Sequence, residues 1–370
     1  MNANSSVLFG PNSGYTSPFL LLRHILGEPE FRMYEKEKVD KKTGRVKRRK
    51  IANPNNSSRE LHYVFLEGLR RALIRGGEAL KLLRILPSAT AFKKESYPIK
   101  NAKKHLGNEH FYITDIKNAY GSVDLELLAV LLVYVFKFET YGHQFTSTAI
   151  LHSDTMEELL KKDKLFSEMH AFLKFYFSGE RGRGLIFGGV ASPYLFNLYM
   201  EAFLDSQLRF LFRKRDFNAK ITYTRFADDL VFSSRVYIGP DLRRKIREKI
   251  VFIGMEVHHR KSKVLARSMG TVFITKVGLH REEPKIVFPG DKRASLHNIL
   301  HQYFQGKVSS FAHCKTKDPT NVVGGYVAEF LGYVAENPQP TNADKKLLML
   351  CKRFEALAGN RKNLVKNHHP

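Results

Sequence analysis

Hydrophobic and polar positions along the chain predict a mixture of helices and strands. Apolar residues recur at Leu61, Phe65, Leu69 and Leu73, the spacing of one helix face, and they predict a helix over 60–86. Short β-prone apolar runs predict strands at 111–116, 221–226, 230–233 and 272–279. Further helices are expected at 125–138, 192–208, 240–253, 291–304 and 342–357. The pattern therefore predicts an α+β fold.

Turn signals join these elements. Thr43 and Gly44 lie inside the basic segment 31–50 and predict the turn of a hairpin. A glycine-rich loop covers 179–190, and Ser192 followed by proline is a typical helix start. A tight turn at 227–229 is expected to connect the strands 221–226 and 230–233.

Composition narrows the functional classes. The 370 residues include 61 Lys and Arg against 36 Asp and Glu, a net charge of +25, which favours a polyanionic partner such as nucleic acid. Cys314 and Cys351 lie far apart in no metal-binding spacing, which suits a reducing cytoplasm. The start of the chain has no signal-peptide pattern, and its most apolar stretch, 125–138, is too short to span a bilayer. We therefore expect a cytoplasmic protein without a membrane partner.

Adjacent carboxylates in a turn are the strongest chemical feature. Asp228 and Asp229 follow an apolar strand, and Asp115 lies near the end of another. Carboxylates held together repel each other, and a divalent cation relieves that repulsion. Three such groups would support phosphoryl transfer with two Mg²⁺ ions. The alternative is that the Asp pair merely occupies a hairpin turn, where Asp is common.

The sequence segments around these acids resemble the palm motifs of reverse transcriptases, especially those of the bacterial retron and group II intron-like lineages. Asp115 lies in ITDIKNAYGSV, the Asp pair lies in YTRFADDLVFS, and between them is GLIFGGVASPYLFNLYME. FADD resembles the YxDD box of the family, and the third segment resembles its GxPQGxxxSPxLxNL loop and helix. Further similar segments lie at 41–44 and 49–51, at 91–92 and 101–105, at 254–262 and at 277–279, in the order expected for the family. The resemblance implies a right-hand polymerase fold with fingers, palm and thumb.

Residue roles are implied by this resemblance. Asp115, Asp228 and Asp229 would be catalytic and would hold two Mg²⁺, for which Mn²⁺ can substitute, and the Ile116 carbonyl would join them. The other implied roles concern the incoming deoxynucleotide: Lys42 and Arg49 would hold its triphosphate, Tyr120 would exclude a 2′-hydroxyl, and Phe187 and Gly188 would line its pocket. For Tyr120 a core aromatic ring is the alternative, and for Lys42 and Arg49 a contact with the nucleic-acid backbone.

The chain also departs from the family pattern. Ile186 and Phe187 replace the Pro-Gln of the nucleotide-pocket loop, and a phenylalanine cannot make the glutamine's hydrogen bond. The VTG sequence of retron enzymes is absent, since residues 275–278 read TKVG. These differences indicate a divergent stand-alone enzyme of the kind that resembles phage-defence proteins.

The resemblance implies the following organisation. Residues 1–30 form an N-terminal extension, 31–110 the fingers interleaved with the palm, 111–285 the palm, and 286–370 a helical thumb with a basic tail.

We expect an RNA-directed DNA polymerase that extends a 3′-hydroxyl with dNTPs on a structured non-coding RNA, holds an RNA–DNA hybrid, and works with an effector protein in antiphage defence. Template-independent or protein-primed synthesis is one alternative, and a non-catalytic RNA-binding scaffold is another. The oligomeric state is left open.

Overall fold

A computed structural model describes most of the chain. The described residues are 30–39, 46–93, 97–141, 151, 153–179, 182–213, 220–307, 319–337 and 340–366. Lys42, with the predicted turn at Thr43 and Gly44, lies outside them. For Arg49 the structure describes the backbone, which is extended, but not the side chain.

The chain divides into two compact units. The first comprises Met1–Glu95 and Phe111–Val264, and the second comprises Ser96–His110 and Leu265–Pro370. The segment 96–110 therefore interrupts the sequence of the first unit and belongs to the second unit. The boundaries expected for fingers, palm and thumb stay predictions.

An antiparallel hairpin begins the first unit. It pairs β1 (Phe31–Val39) with β2 (Val46–Pro54), in a register that places Phe31 opposite Pro54 and Val39 opposite Val46. The two basic strands predicted for 31–50 are therefore present. The described side chains of β1 from Arg32 to Glu37 are exposed, among them the charged Glu35, Lys36 and Glu37.

A five-stranded sheet carries the acidic residues. Its strands are β3 (His110–Lys117), β4 (Thr222–Phe226), β5 (Asp229–Ser234), β6 (Glu256–Val257) and β7 (Lys263–Ala266). The strand order is β4-β5-β3-β6, and β7 also pairs with β3. The central position of β3 brings a strand from early in the chain beside the β4–β5 hairpin, which comes about one hundred residues later.

Helices cover this sheet with apolar side chains. They are α1 (Asn56–Arg75), α2 (Lys81–Ile85), α4 (Leu125–Phe136), α5 (Phe138–Tyr141), α6 (Asp154–Lys162), α7 (Lys164–Tyr176), α8 (Ser192–Met200), α9 (Ser206–Arg213) and α10 (Pro240–Phe252). The helix α4 is buried on nearly all sides, as its almost uninterrupted apolar sequence predicts. One contiguous core joins these helices to the sheet.

Two of the predicted helices are interrupted. The helix expected over 60–86 is broken at Gly76 and Gly77, where Gly77 takes a left-handed φ of +55°, and only the short α2 follows. The helix expected over 192–208 contains a π-helical turn, Glu201–Asp205, between α8 and α9. Such a turn inserts one extra residue into the helix and shifts which side chains face inward.

The second unit combines a small sheet with helices. Its elements are α3 (Pro98–Lys103), β8 (Val272–Ile274), β9 (Val277–Leu279), β10 (Ile286–Val287), α11 (Gly290–Phe304), α12 (Pro319–Ala335) and α13 (Asn342–Lys366). The prediction of a single strand over 272–279 is wrong. Thr275 and Lys276 both take left-handed φ values, +46° and +67°, and fold the segment into the β8–β9 hairpin. No helix among the described residues is long and apolar enough to cross a membrane.

Candidate active site

The strand β3 places Asp115 at the centre of the sheet. Its backbone is held from both sides: the Ile116 amide donates to the Asp228 carbonyl over 3.0 Å, and the Asp115 carbonyl accepts from the His258 amide over 2.7 Å. Asp115 itself is 8% exposed. Its carboxylate is therefore presented from a strand that cannot shift without breaking the sheet.

A two-residue turn presents the adjacent acids. Phe226 pairs with Asp229, so Ala227 and Asp228 form the tip of the β4–β5 hairpin. Ala227 has a left-handed φ of +56°, which is uncommon for a residue with a side chain. Asp228 follows immediately, and Asp229 is the first residue of β5. The turn therefore gives the two neighbours different backbone geometries, which a regular strand would not do.

The three acids share one electrostatic environment. The pKa of Asp229 is raised to about 6, first by burial and then by the negative charges of Asp228 and Asp115, with a contribution from a side-chain hydrogen bond with Asp115. Lys261 opposes this shift, and its Nζ lies 2.6 Å from Asp115 Oδ2. Negative charge is thus concentrated here and only partly neutralised by one lysine.

The donor atoms suit a hard divalent cation. Carboxylate and carbonyl oxygens are the ligands that Mg²⁺ prefers, and the mutual repulsion recorded in the Asp229 pKa is what a cation would relieve. In this conformation, no group of three or more His, Cys, Asp or Glu side chains among the described residues is arranged to hold a metal ion, and Lys261 occupies Asp115 Oδ2. The carboxylates of Asp115, Asp228 and Asp229 fit Mg²⁺ in their chemical type, and binding would require Lys261 to release Asp115.

An aromatic surface adjoins the acids. The Tyr120 ring stacks on Phe196, with centroids 5.0 Å apart, and meets Phe187 edge-on at 5.7 Å. Burial, followed by the charge of Asp228, raises the pKa of the Tyr120 hydroxyl above its ordinary value. Phe187 is 39% exposed. Tyr120 is thus a half-buried ring that packs on Phe196 and lies close enough to Asp228 for the Asp228 charge to affect its pKa.

The glycine-rich loop is attached to the N-terminal hairpin. The Ala52 amide of β2 donates to the Phe187 carbonyl over 2.8 Å. Gly188 has a φ of +105°, and a Cβ placed on it would lie 2.2 Å from the Ala52 carbonyl oxygen. Only glycine permits this approach. The loop is therefore fixed to β2, whose backbone also carries Arg49 three residues earlier.

His62 supports the same loop from α1 and was not singled out from the sequence. It is fully buried, stacks on Phe177 at 4.4 Å, and its Nδ1 accepts from the Ala191 amide over 3.4 Å. Burial lowers the pKa of His62 to about 4. A lone histidine on an apolar helix face gives little sign of such a role. Lys261 was also missed as a partner of Asp115, although it lies in the segment 254–262 that resembles the family.

A comparison with protein families supports the resemblance. Residues 39–287, about two thirds of the chain, match the family model described as reverse transcriptase (RNA-dependent DNA polymerase). The chain belongs to this family. The expected α+β class and right-hand polymerase fold are thereby confirmed.

A curated relative gives a more specific comparison. The chain is 24% identical over 229 residues to the Retron Ec83 reverse transcriptase of Escherichia coli, covering 60% of this chain and 64% of the relative. The chain thus spans under two thirds of the length of that relative. The predicted retron-like lineage agrees with this similarity.

Solved structures of telomerase are also similar. The telomerase of Candida albicans in complex with a TWJ fragment of telomeric RNA has a TM-score of 0.45 at 12% identity, with 90% of this chain and 65% of that chain covered. Apo telomerase of Candida tropicalis has a TM-score of 0.45 at 13% identity, with 90% and 62% covered.

Proposed function

We propose that this chain is an RNA-directed DNA polymerase, a nucleotidyltransferase that extends a 3′-hydroxyl with dNTPs. The observation that carries the proposal is geometric: β3 brings Asp115 beside the β4–β5 turn, where the Ile116 amide donates to the Asp228 carbonyl over 3.0 Å. The raised pKa of Asp229, caused by burial and then by the charges of Asp228 and Asp115, agrees with that proximity. Two strands that are distant in sequence bring these carboxylates together. If Asp228 and Asp229 served only as polar residues of a hairpin turn, the fold would not need the nearly buried carboxylate of Asp115 beside them.

Two Mg²⁺ ions would be held by Asp115, Asp228 and Asp229, with the Ile116 carbonyl as a further ligand, and Mn²⁺ would substitute. When bound, such ions activate the attacking hydroxyl and stabilise the leaving pyrophosphate. Lys261 would have to leave Asp115 Oδ2 for that oxygen to become a ligand. Its position half-exposed at the edge of the site allows this movement.

The incoming nucleotide would lie on Tyr120. The Phe196 ring stacks on Tyr120 and holds the Tyr120 ring in place. A 2′-hydroxyl would therefore collide with the Tyr120 ring, whereas a deoxyribose would pack on it. Phe187 would offer an apolar edge and Gly188 a close backbone. Triphosphate binding by Lys42 and Arg49 remains part of the proposal on the ground of the family resemblance.

The partners are proposed from charge and from the retron relative. A net charge of +25 suits a phosphate-rich duplex, and we propose a structured non-coding RNA as template and an RNA–DNA hybrid as product. An effector protein, a role in antiphage defence and a cytoplasmic location complete the proposal. The buried free thiol of Cys351 is compatible with a reducing compartment.

Primer extension tests the proposal. Purified protein is supplied with a primed RNA template, dNTPs and Mg²⁺, and incorporation is compared with that of the Asp228→Asn, Asp229→Asn double variant. We expect the variant to fold and bind RNA but to incorporate nothing measurable, because two ligands are lost. Equal incorporation by both proteins would refute the polymerase assignment. An arm without template tests the alternative that the Phe187 pocket serves untemplated synthesis.

A further inference from the structure

A fully buried arginine lies two residues before the acidic turn. The Arg225 side chain has no solvent exposure, and neither has its partner Asp205. Arg225 Nε donates to both Asp205 oxygens at 3.2 Å, and its Nη2 donates to Asp205 Oδ2 at 3.0 Å. Arg225 belongs to β4, the first strand of the hairpin that carries Asp228 and Asp229.

The remaining nitrogen of Arg225 reaches the turn itself. Nη1 donates to the Ala227 carbonyl over 3.1 Å and to Asn197 Oδ1 over 2.9 Å. Ala227 is the residue with the left-handed φ of +56°, and its carbonyl belongs to the peptide bond that leads into Asp228. One guanidinium therefore links the orientation of that peptide to two buried side chains.

The partners of Arg225 are fixed in turn. Asp205 ends the π-helical turn and accepts a further hydrogen bond from the Tyr223 hydroxyl over 2.7 Å. Asn197, on α8, donates to the Ala91 carbonyl over 2.9 Å. Each position of the guanidinium is thus determined by a rigid neighbour rather than by solvent.

Stability alone does not account for this network. A buried ion pair contributes little net stability compared with apolar side chains of the same volume, because both charges lose their hydration. What an apolar pair cannot supply is a donor for the Ala227 carbonyl. Arginine supplies it and satisfies Asp205 and Asn197 at the same time, since its planar fork carries five donors.

We infer that Arg225 is a positioning residue, which with Asp205 and Asn197 holds Ala227 in its left-handed conformation and so fixes where the Asp228 carboxylate lies. The inference rests on the proposed function, because it assigns a purpose to the geometry of the same acids. Nothing in it requires Arg225 to touch the substrate. It acts through the peptide bond between Ala227 and Asp228.

Three single variants test the inference. Arg225→Lys keeps the charge opposite Asp205, but its one ammonium nitrogen cannot reach the acceptors that arginine serves from three separate nitrogens. Asp205→Asn removes the anchor of the guanidinium. Glu201→Gln is the matched control, because Glu201 is a buried carboxylate of the same π-helical turn that hydrogen-bonds to Arg209 and interacts with Arg225 through charge alone. Each protein is assayed for Mn²⁺ affinity by electron paramagnetic resonance, for melting temperature, and for kcat and KM in primer extension.

We expect Arg225→Lys and Asp205→Asn to weaken Mn²⁺ binding by about 10- to 100-fold, the range seen when groups that orient metal ligands are lost. Their kcat should fall while the KM for dNTP changes little. Glu201→Gln should lower the melting temperature and leave Mn²⁺ affinity unchanged. Wild-type affinity in folded Arg225→Lys, or an equal loss in Glu201→Gln, would overturn the inference.

A second-site change in the turn distinguishes a lost turn conformation from damage to the core. Glycine takes a left-handed φ without strain, so Ala227→Gly combined with Arg225→Lys should recover much of the lost Mn²⁺ affinity. A defect that Ala227→Gly does not repair would make Arg225 a core residue only and would refute the inference. The proposed function fails separately, if the wild type neither binds Mn²⁺ nor incorporates dNTPs.

Discussion

Replacing Gly188 by alanine should damage the proposed nucleotide pocket and leave Asp115, Asp228 and Asp229 in place. Gly188 has a φ of +105°, and its Cα faces the carbonyl of Ala52. The opposing atom belongs to the backbone of β2, which is paired along its length with β1. It cannot rotate away as a flexible side chain would.

The size of the effect follows from this contact. An added Cβ would lie 2.2 Å from the Ala52 oxygen, and real Cβ contacts essentially never fall below 3.0 Å. The loop must therefore move by about 0.8 Å or change its φ, and a side chain in this backbone region itself costs about 1–3 kcal/mol. A misplacement of about 1 Å can reduce catalysis roughly 100-fold. We expect kcat/KM for dNTP to fall by about that factor, with a drop in melting temperature of a few degrees.

Primer extension at varied dNTP concentration, with thermal melting alongside, checks this result. Gly107→Ala is the matched control, because Gly107 has an ordinary φ and a Cβ there meets nothing within 4 Å. If Gly188→Ala kept the kcat/KM and melting temperature of the wild type, the loop would not be held against β2 as described. An equal loss in Gly107→Ala would show that any added methyl group harms the protein.

Four further predictions concern other parts of the chain. Tyr120→Val should reduce discrimination against ribonucleotides by roughly 10- to 200-fold in a protein that still folds, measured by incorporation of both sugars. Lys261→Met should lower the melting temperature in EDTA, because Asp115 loses its counterion, and should enlarge the rise in melting temperature on adding Mg²⁺. Folded His62 has a pKa of about 4 against an unfolded value near 6.5, so the unfolded state binds more protons between these values; the free energy of unfolding should fall as the pH is lowered from about 6.5 to 4, and His62→Phe should lack this contribution in denaturant titrations. RNA affinity should weaken with salt, with a logarithmic slope of about −0.7 to −0.9 per phosphate contact.

Each of these has a contrary result. A stable Tyr120→Val protein with unchanged sugar preference would make Tyr120 a core ring only, and unfolding would indicate a cavity costing about 3–5 kcal/mol. An unaltered Mg²⁺ response in Lys261→Met would mean that Lys261 does not neutralise Asp115. A His62→Phe protein with the same pH dependence as the wild type would assign that dependence elsewhere. If RNA affinity did not change with salt concentration, the positive charge of the protein would not serve to bind RNA phosphates.

The acids and their strands were predictable because they are encoded locally. Asp115 lies near the end of one short apolar run, and the Asp pair separates two others, so these runs alone place the acids near strand ends. The family resemblance then supplied their order. The proximity of Asp115 to Asp229 and the exposure of Phe187 are described by the structure, while the roles assigned to them remain proposals.

Long-range partners were not predictable from one sequence. Arg225 reads as one polar residue within a strand, and nothing local indicates that Asp205, twenty positions earlier, faces it across the core. The π-helical turn has no marker in its sequence EAFLD either. The hairpin at Thr275 and Lys276 was missed because neither residue is a usual left-handed turn former.

The discontinuous second unit constrains how the protein can be made. During translation, residues 96–110 emerge about 155 residues before Leu265, yet α3 packs with β8, β9 and β10, and Lys103 pairs with Glu336. The second unit therefore cannot complete its core until almost the whole chain has been synthesised, and until then α3 is a short helix without its neighbours. A nascent chain that ends between 265 and 335 would contain 96–110 without all of the elements that pack against it. A fragment intended to reproduce the second unit must carry 96–110 on a linker.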